Sequence, residues 1–298
     1  MTTTVLDPPK RRRDLRHHYP MWFYLPAGVV FGVLFILPTI ASFYFAFTRW
    51  SIARTEFVGL ENFALFLSEP YLFQGMVNTL VYGVLTSGLK VVLGLLLAVF
   101  LTSQIIARGY LRSVVFFPTL VSTVGVGVTF SVLMDPSDGL INRALAVFGV
   151  DGPGWLTDPN LALVSVALVD VWKGVGLATL IYIAGVAAIP PEFFEAARVD
   201  GASVFQNLRY VTLPLLRPAT ATVIVLSLIG GLRSFDLIWT MTQGGPGFTS
   251  DVVASVIFKQ YQAGFWGLSS AGNVVLFLLV AALTVPLYWR LNRREVEQ

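Results

Sequence analysis

Five ionisable residues fall inside long apolar runs of this chain: Lys90, Asp170, Lys173, Arg233 and Asp236. An ionised side chain at bilayer depth costs about 2.5–3.5 kcal/mol on insertion scales, so such residues face a bundle interior or an aqueous path and need partners. Asp170 and Lys173 are three apart, as are Arg233 and Asp236, so each pair shares a helical face and is expected to neutralise itself. Lys90 has no acidic residue within helical reach, and it must find a partner on another helix, a backbone carbonyl or water. These charges serve one of two purposes: pairing that holds a bundle together, or the wall of a hydrophilic path. Trp172 beside Lys173, and Trp239 beyond Asp236, carry faces that stack on the ring of a polar solute or simply pack against helices and lipid. Asn273 and Ser270 fit either purpose.

Other chemistry has no residues to carry it. There is no Gly-rich loop ending in Gly-Lys-Ser or Gly-Lys-Thr to cradle nucleotide phosphates. The two histidines, His17 and His18, are adjacent in a polar tail, and neither a His-Glu-x-x-His helix nor a Gly-x-Ser-x-Gly elbow is present. With no cysteine as well, metal, acyl-transfer and thiol chemistry have no donors or nucleophiles, so no enzyme is expected.

The elements that must position the embedded charges follow from composition. Of 298 residues, 55% are hydrophobic and only 12% charged, with a mean hydropathy of +0.73, which places the chain in a bilayer. A hydrocarbon core takes about 20 apolar residues as a helix. Six runs of that length are read, over about 21–48, 77–102, 114–134, 161–188, 218–241 and 268–289. They are continuous rather than alternating, so each satisfies its own backbone hydrogen bonds as a helix, and an all-α integral membrane fold is expected. Lys10, Arg11, Arg12, Arg13, Arg16, Arg108, Arg112, Arg198, Arg209, Arg217, Arg290, Arg293 and Arg294 all flank one side of these spans. Arg49, Arg54, Arg143 and Lys259 flank the other, so both termini and the connection after span four are expected in the cytoplasm. The net charge of +3 thus reports topology rather than nucleic-acid binding. The first span is too long for a secretory h-region and is read as retained.

The external connections read as turns with short helices around 63–67 and 140–148, and Thr242 to Gly247 as irregular backbone rich in glycine. The cytoplasmic connection is more structured. Pro190-Pro191 stops span four and presets a short helix, on which Glu192, Glu195 and Arg198 share one face while Phe194 and Ala197 take the other. Ala196 and Ala197 leave the backbone open to close approach, Gly201 permits a tight turn, and Ser203 caps a second helix to about Tyr210, which Pro214 and Pro218 are expected to end. By physics alone such a hairpin either rests on lipid headgroups or docks on another protein.

This segment resembles the coupling loop of ATP-driven, binding-protein-dependent importer permeases. In that family Glu-Ala-Ala is followed after three residues by Gly, after nine more by an aliphatic residue, and then by Leu-Pro two positions on. Here Glu195-Ala196-Ala197, Gly201, Val211 and Leu213-Pro214 match every spacing. Phe235-Asp236, Met241 to Pro246, Phe57 to Phe63 and Asn78-Thr79-Leu80 resemble segments of the carbohydrate-importer permeases, and the likeness runs from about Trp22 to Trp289. The resemblance implies a transmembrane subunit of a sugar importer in the cell membrane, with Glu195, Ala196, Ala197, Asp200, Gly201, Leu213 and Pro214 receiving motion from a separate ATPase. It also implies two ATPase subunits that hold ATP and Mg, a second, homologous permease subunit and an external sugar-binding protein, with no cofactor on this chain. The expected division is a basic tail (1–20), the first span and external loop (21–73), a permease core (74–290) containing the coupling loop (190–217), and a short tail (291–298). An ion-coupled carrier or channel, with Lys90, Asp170 and Lys173 as a relay, is the alternative, and it gives the Glu195 loop no purpose.

Overall fold

The computed structural model describes residues 21–50, 54–103 and 105–292. The basic tail with His17 and His18, and Arg293 and Arg294, lie outside the described residues. The chain is helical except for one small hairpin among the described residues. Four helices are long and apolar enough to cross a membrane: α1 (Trp22–Ala46), α3 (Pro70–Thr102), α7 (Ala162–Ala187) and α13 (Trp266–Asn292). Two bent pairs raise the count to as many as six: α4 (Arg108–Leu120) with α5 (Thr123–Leu133), at 96°, and α9 (Val204–Leu215) with α10 (Arg217–Leu232), at 69°.

Those bends correct the expectation of six plain rods. The third apolar run is broken at Val121, where the backbone turns extended and Ser122 accepts the Gly125 N–H to cap α5. The fifth run ends as a helix at Leu232, and after Arg233-Ser234-Phe235 a separate short helix, α11 (Asp236–Met241), begins. Hydropathy does not see these breaks, because a cap costs a span only one small polar residue. Pro214 does not end the second helix of the connection after α7. It sits inside α9, whose Leu208–Thr212 turn is wound as a π-helix, and the chain redirects two residues later at Leu216. Span two also starts seven residues earlier than its apolar run, at Pro70, where proline presets the first turn.

The centre of the bundle is α3 against α7 and α10. Small residues set the approach: a Cβ on Gly94 would lie 2.8 Å from the Ala178 Cβ, and one on Gly231 would lie 2.9 Å from the Gly83 Cα. Tyr82, Val166, Val169, Leu237 and Ile238 form one core, and Ala98, Ala178, Tyr182, Leu216 and Val223 a second near the end of α3 and the start of α10. By contrast α1 is peripheral. Only 6% of its apolar window is buried within the chain, and its C-terminal half packs on α13 through Ala46, Ala271 and Val274.

Of the connections, α2 (Glu61–Ser68) and α6 (Leu140–Val147) fall where short helices are expected. The antiparallel pair β1 (Thr48–Trp50) and β2 (Thr55–Phe57) is an addition. Asn62 explains its stability: the buried amide donates to the carbonyls of Ala46 and Thr48, both at 2.9 Å, tying α2 to the hairpin base. After α5, Asp135 accepts the N–H groups of Asp138 and Ser137, which hold its carboxyl below the usual range and fix the turn. The helix α12 (Val253–Gln262) precedes α13.

Candidate functional site

Three of the five embedded charges, Lys90, Asp170 and Lys173, line one cavity of about 210 Å3, bounded by α3, α7, α10 and the α4–α5 break. Lys90 Nζ donates to Asp170 Oδ2 at 2.8 Å, from α3 to α7. The partner required by Lys90 is thus an acid on another helix, and the expected Asp170–Lys173 pair is overturned. The reason is local: Gly174 leaves room for the Lys90 stem, since a Cβ there would lie 2.7 Å from Lys90 Cε. Lys173 lines the same cavity and makes no ion pair among the described residues, while its carbonyl accepts the Thr119 hydroxyl at 2.9 Å. Thr119 and Thr123 therefore place the α4–α5 break against the charged wall. Ser227 and Gly230 of α10 complete it.

The remaining path residues are not gathered there. Arg233 and Asp236 are exposed on either side of the break before α11 and form no ion pair among the described residues, so their expected pairing also fails. The spacing argument presumed one continuous helix, and the break removes the shared face. Trp239 stacks on Phe235 at 5.7 Å and meets Phe258 edge-on at 4.8 Å. Trp172 is 46% exposed and leans on Phe130 at 5.1 Å. Asn273 is exposed on α13, with its amide turned back to the Ser269 carbonyl.

The hairpin after α7 is built as its residues dictate. Helix α8 (Pro191–Val199) begins at a proline and ends in a Schellman motif: the Ala202 N–H bonds the Ala197 carbonyl at 2.9 Å, the Gly201 N–H bonds that of Arg198 at 3.1 Å, and Gly201 takes φ +70°. Ser203 then caps α9 in a reciprocal capping box with Gln206. Ile189 and Phe194 anchor the hairpin in the core of Ala98, Tyr182 and Leu216, so α8 is clamped to the ends of α3, α7 and α10. Glu192, Glu195, Ala196, Arg198 and Asp200 face outward. Ala197 is buried against its own chain, while Leu213 and Pro214 are half-buried.

Sequence reasoning missed the apolar tip of this hairpin. Val199 and Val204 are each 88% exposed, with Phe193, Phe205 and Tyr210 exposed around them. Apolar side chains grouped on an exposed surface mark an interaction site. Hydropathy could not single them out in a chain that is apolar throughout.

A third constellation unites two segments that the sequence holds far apart. The amide of Asn78 on α3 donates to the carbonyls of Thr249 and Asp251, both at 2.8 Å, and the Thr79 hydroxyl accepts the Val253 N–H at 2.8 Å. Asp251, 1% exposed, accepts Ser255 Oγ at 2.7 Å and Lys259 Nζ at 2.6 Å. Gly244 has φ +83°, and a Cβ on it would lie 1.8 Å from Asp251 Oδ1, so only glycine lets the carboxylate seat there. The loop Thr242–Ser250 is thereby locked to α3.

Comparison with known proteins agrees with this architecture. Residues 90–295 match the model of the binding-protein-dependent transport system inner membrane component family. The trehalose/maltose transport system permease protein MalF of Thermococcus litoralis is 34% identical over 271 residues, covering 90% of this chain and 92% of that one. The arabinooligosaccharides transport system permease protein AraP of Bacillus subtilis is 30% identical over 270 residues, covering 89% and 86%. A chain of a bacterial ABC transporter involved in the import of the acidic polysaccharide alginate superposes with a TM-score of 0.79 at 23% identity, over 91% of this chain and 94% of that one. The chain therefore belongs to the binding-protein-dependent transport system inner membrane components, with the fold of a type I ABC importer permease.

Proposed function

We propose that this chain forms half of the membrane pathway of an ATP-driven sugar importer in the cytoplasmic membrane, with six spans and both termini in the cytoplasm. The Pro191–Leu215 hairpin is its coupling element: Glu195, Ala196, Asp200 and Gly201, with the apolar tip of Val199, Val204 and Phe205, seat on a separate ATPase subunit that holds ATP and Mg. The observation that carries this reading is the hairpin itself, two capped helices with an exposed apolar tip and a buried root shared with α3, α7 and α10. A push on the tip is transmitted to three spans at once, because their glycine and alanine seams pack without slack. Those three helices also wall the Lys90–Asp170 cavity, so motion at the hairpin reshapes the cavity and gives alternating access.

A second, homologous permease subunit supplies the other half of the path, an external binding protein delivers the sugar, and a second ATPase completes the motor. The names of the trehalose/maltose and arabinooligosaccharide relatives support sugar as cargo. Lys173, Trp172, Arg233, Asp236 and Trp239 border the route, with charges and rings that suit hydroxyls and ring faces. Lys90 and Asp170 hold its wall, and Asn273 stands apart from it. Reconstitution in liposomes tests the reading. Uptake of a sugar is expected only with the partner permease, the ATPases, the binding protein and ATP together. Uptake by this chain without a nucleotide-hydrolysing partner, driven by a proton gradient, would overturn it in favour of an ion-coupled carrier.

A further inference from the structure

A second polar-lined cavity lies outside the charged path. It measures about 440 Å3, sits at the end of the bundle opposite the hairpin, and shares no residue with the Lys90–Asp170 cavity. Its size falls within the range of small-molecule sites, about 300–1,000 Å3. Three aromatic rings stand on its wall: Trp50 from β1, Tyr71 from the first turn of α3, and Phe265 from the turn between α12 and α13. The tryptophan is held from outside by Phe45, stacked at 4.1 Å, and by Trp266 at 5.1 Å, so its orientation is set before anything binds.

The polar groups are few and placed. Gln260, 8% exposed, donates one amide hydrogen to the Tyr71 hydroxyl, and its carbonyl oxygen has no partner among the described residues. Glu69 makes no side-chain hydrogen bond or ion pair among the described residues. Arg49 and Glu61 pair with each other and supply donors and acceptors at a second edge. A lipid acyl chain would leave a carboxylate and a buried amide facing hydrocarbon. A cationic side chain would suit Glu69 but meet the Arg49 guanidinium. A ring with apolar faces and a rim of hydroxyls, each both donor and acceptor, uses the aromatic walls, the carboxylates, the amide and the guanidinium together.

We propose that this cavity is a second saccharide site, distinct from the translocation path, which binds one end of a neutral oligosaccharide. The proposal rests on the sugar-importer reading for its ligand class, and the test separates the two. The assembled importer in lipid nanodiscs, without binding protein or nucleotide, is titrated with trehalose and with arabinotriose by saturation-transfer NMR and tryptophan fluorescence. Saturable binding of at least one is expected, weakened about tenfold by Glu69→Ala, as for loss of one charge-assisted hydrogen bond, and unchanged by Lys173→Met. Binding weakened by Lys173→Met and not by Glu69→Ala would place the sugar in the path and overturn the proposal. So would the absence of saturable binding in a preparation that imports the same sugar with its binding protein, a result that leaves the importer reading intact. Binding sensitive to Glu69→Ala in a preparation that imports no sugar would uphold the site and sink that reading.

Discussion

The Pro191–Leu215 hairpin and the Thr242–Ser255 segment are made of similar material, short connections with glycine at positive φ, and the fold treats them in opposite ways. The loop turns its charge inward: Asp251 is enclosed, and its hydrogen-bond partners lie within the chain, on Ser255 and Lys259. The hairpin turns the apolar residues of its tip outward and keeps its root inside, through Ala197, Thr212, Ile189 and the flank of Phe194. A buried charge is tolerated where every lone pair is answered. An exposed apolar tip has no such answer within the chain, so it points to a partner. The same turn chemistry therefore serves as a lock in one place and, in the function proposed, as a handle in the other.

The largest effect should come from breaking the lock. Asp251→Ala leaves Lys259 without its acid and Ser255 with only the Val252 carbonyl to donate to, and a loss of about 3–5 kcal/mol of stability is expected. Thermal unfolding of detergent-purified protein measures it; a melting temperature equal to wild type would mean the network is not what pins the loop. Removing the other end of the lock is milder: Asn78→Ala deletes two buried hydrogen bonds to the Thr249 and Asp251 carbonyls and should cost about 1–3 kcal/mol.

On the hairpin the balance shifts from stability to coupling. Gly201→Leu has open space but must hold a left-handed backbone, a strain of about 1–2 kcal/mol. Insertion should survive while ATP hydrolysis no longer drives uptake, and normal coupled uptake would count against the docking role. Smallest in stability, within about 0.5 kcal/mol, is Phe205→Asp, because the side chain touches little of its own chain. That variant should unfold at the wild-type temperature yet lose co-purification of the ATPase subunit. Unimpaired co-purification would collapse the contrast between lock and handle.

Much of the fold was legible because burial in lipid demands long uncharged runs. The hairpin was legible too: Pro191, Gly201 and Ser203 each impose a local geometry that no distant contact alters. What the sequence left open depended on which helices become neighbours. Spacing along one helix suggested that Asp170 pairs with Lys173; packing of α3 on α7, with Gly174 making room, gave Asp170 to Lys90 instead. The breaks at Val121 and Arg233 were hidden because hydropathy averages over the single residues that end a helix.

Sequence by itself determined the solvent of this protein, the helical class and the turn at Gly201, since each follows from transfer free energy or from allowed backbone angles. Tertiary structure alone decided that Asn78 and Asp251, 173 residues apart, form one lock, and that the apolar Val199 and Val204 face out. Those choices are set by packing between elements, where the energies depend on neighbours that no local pattern names.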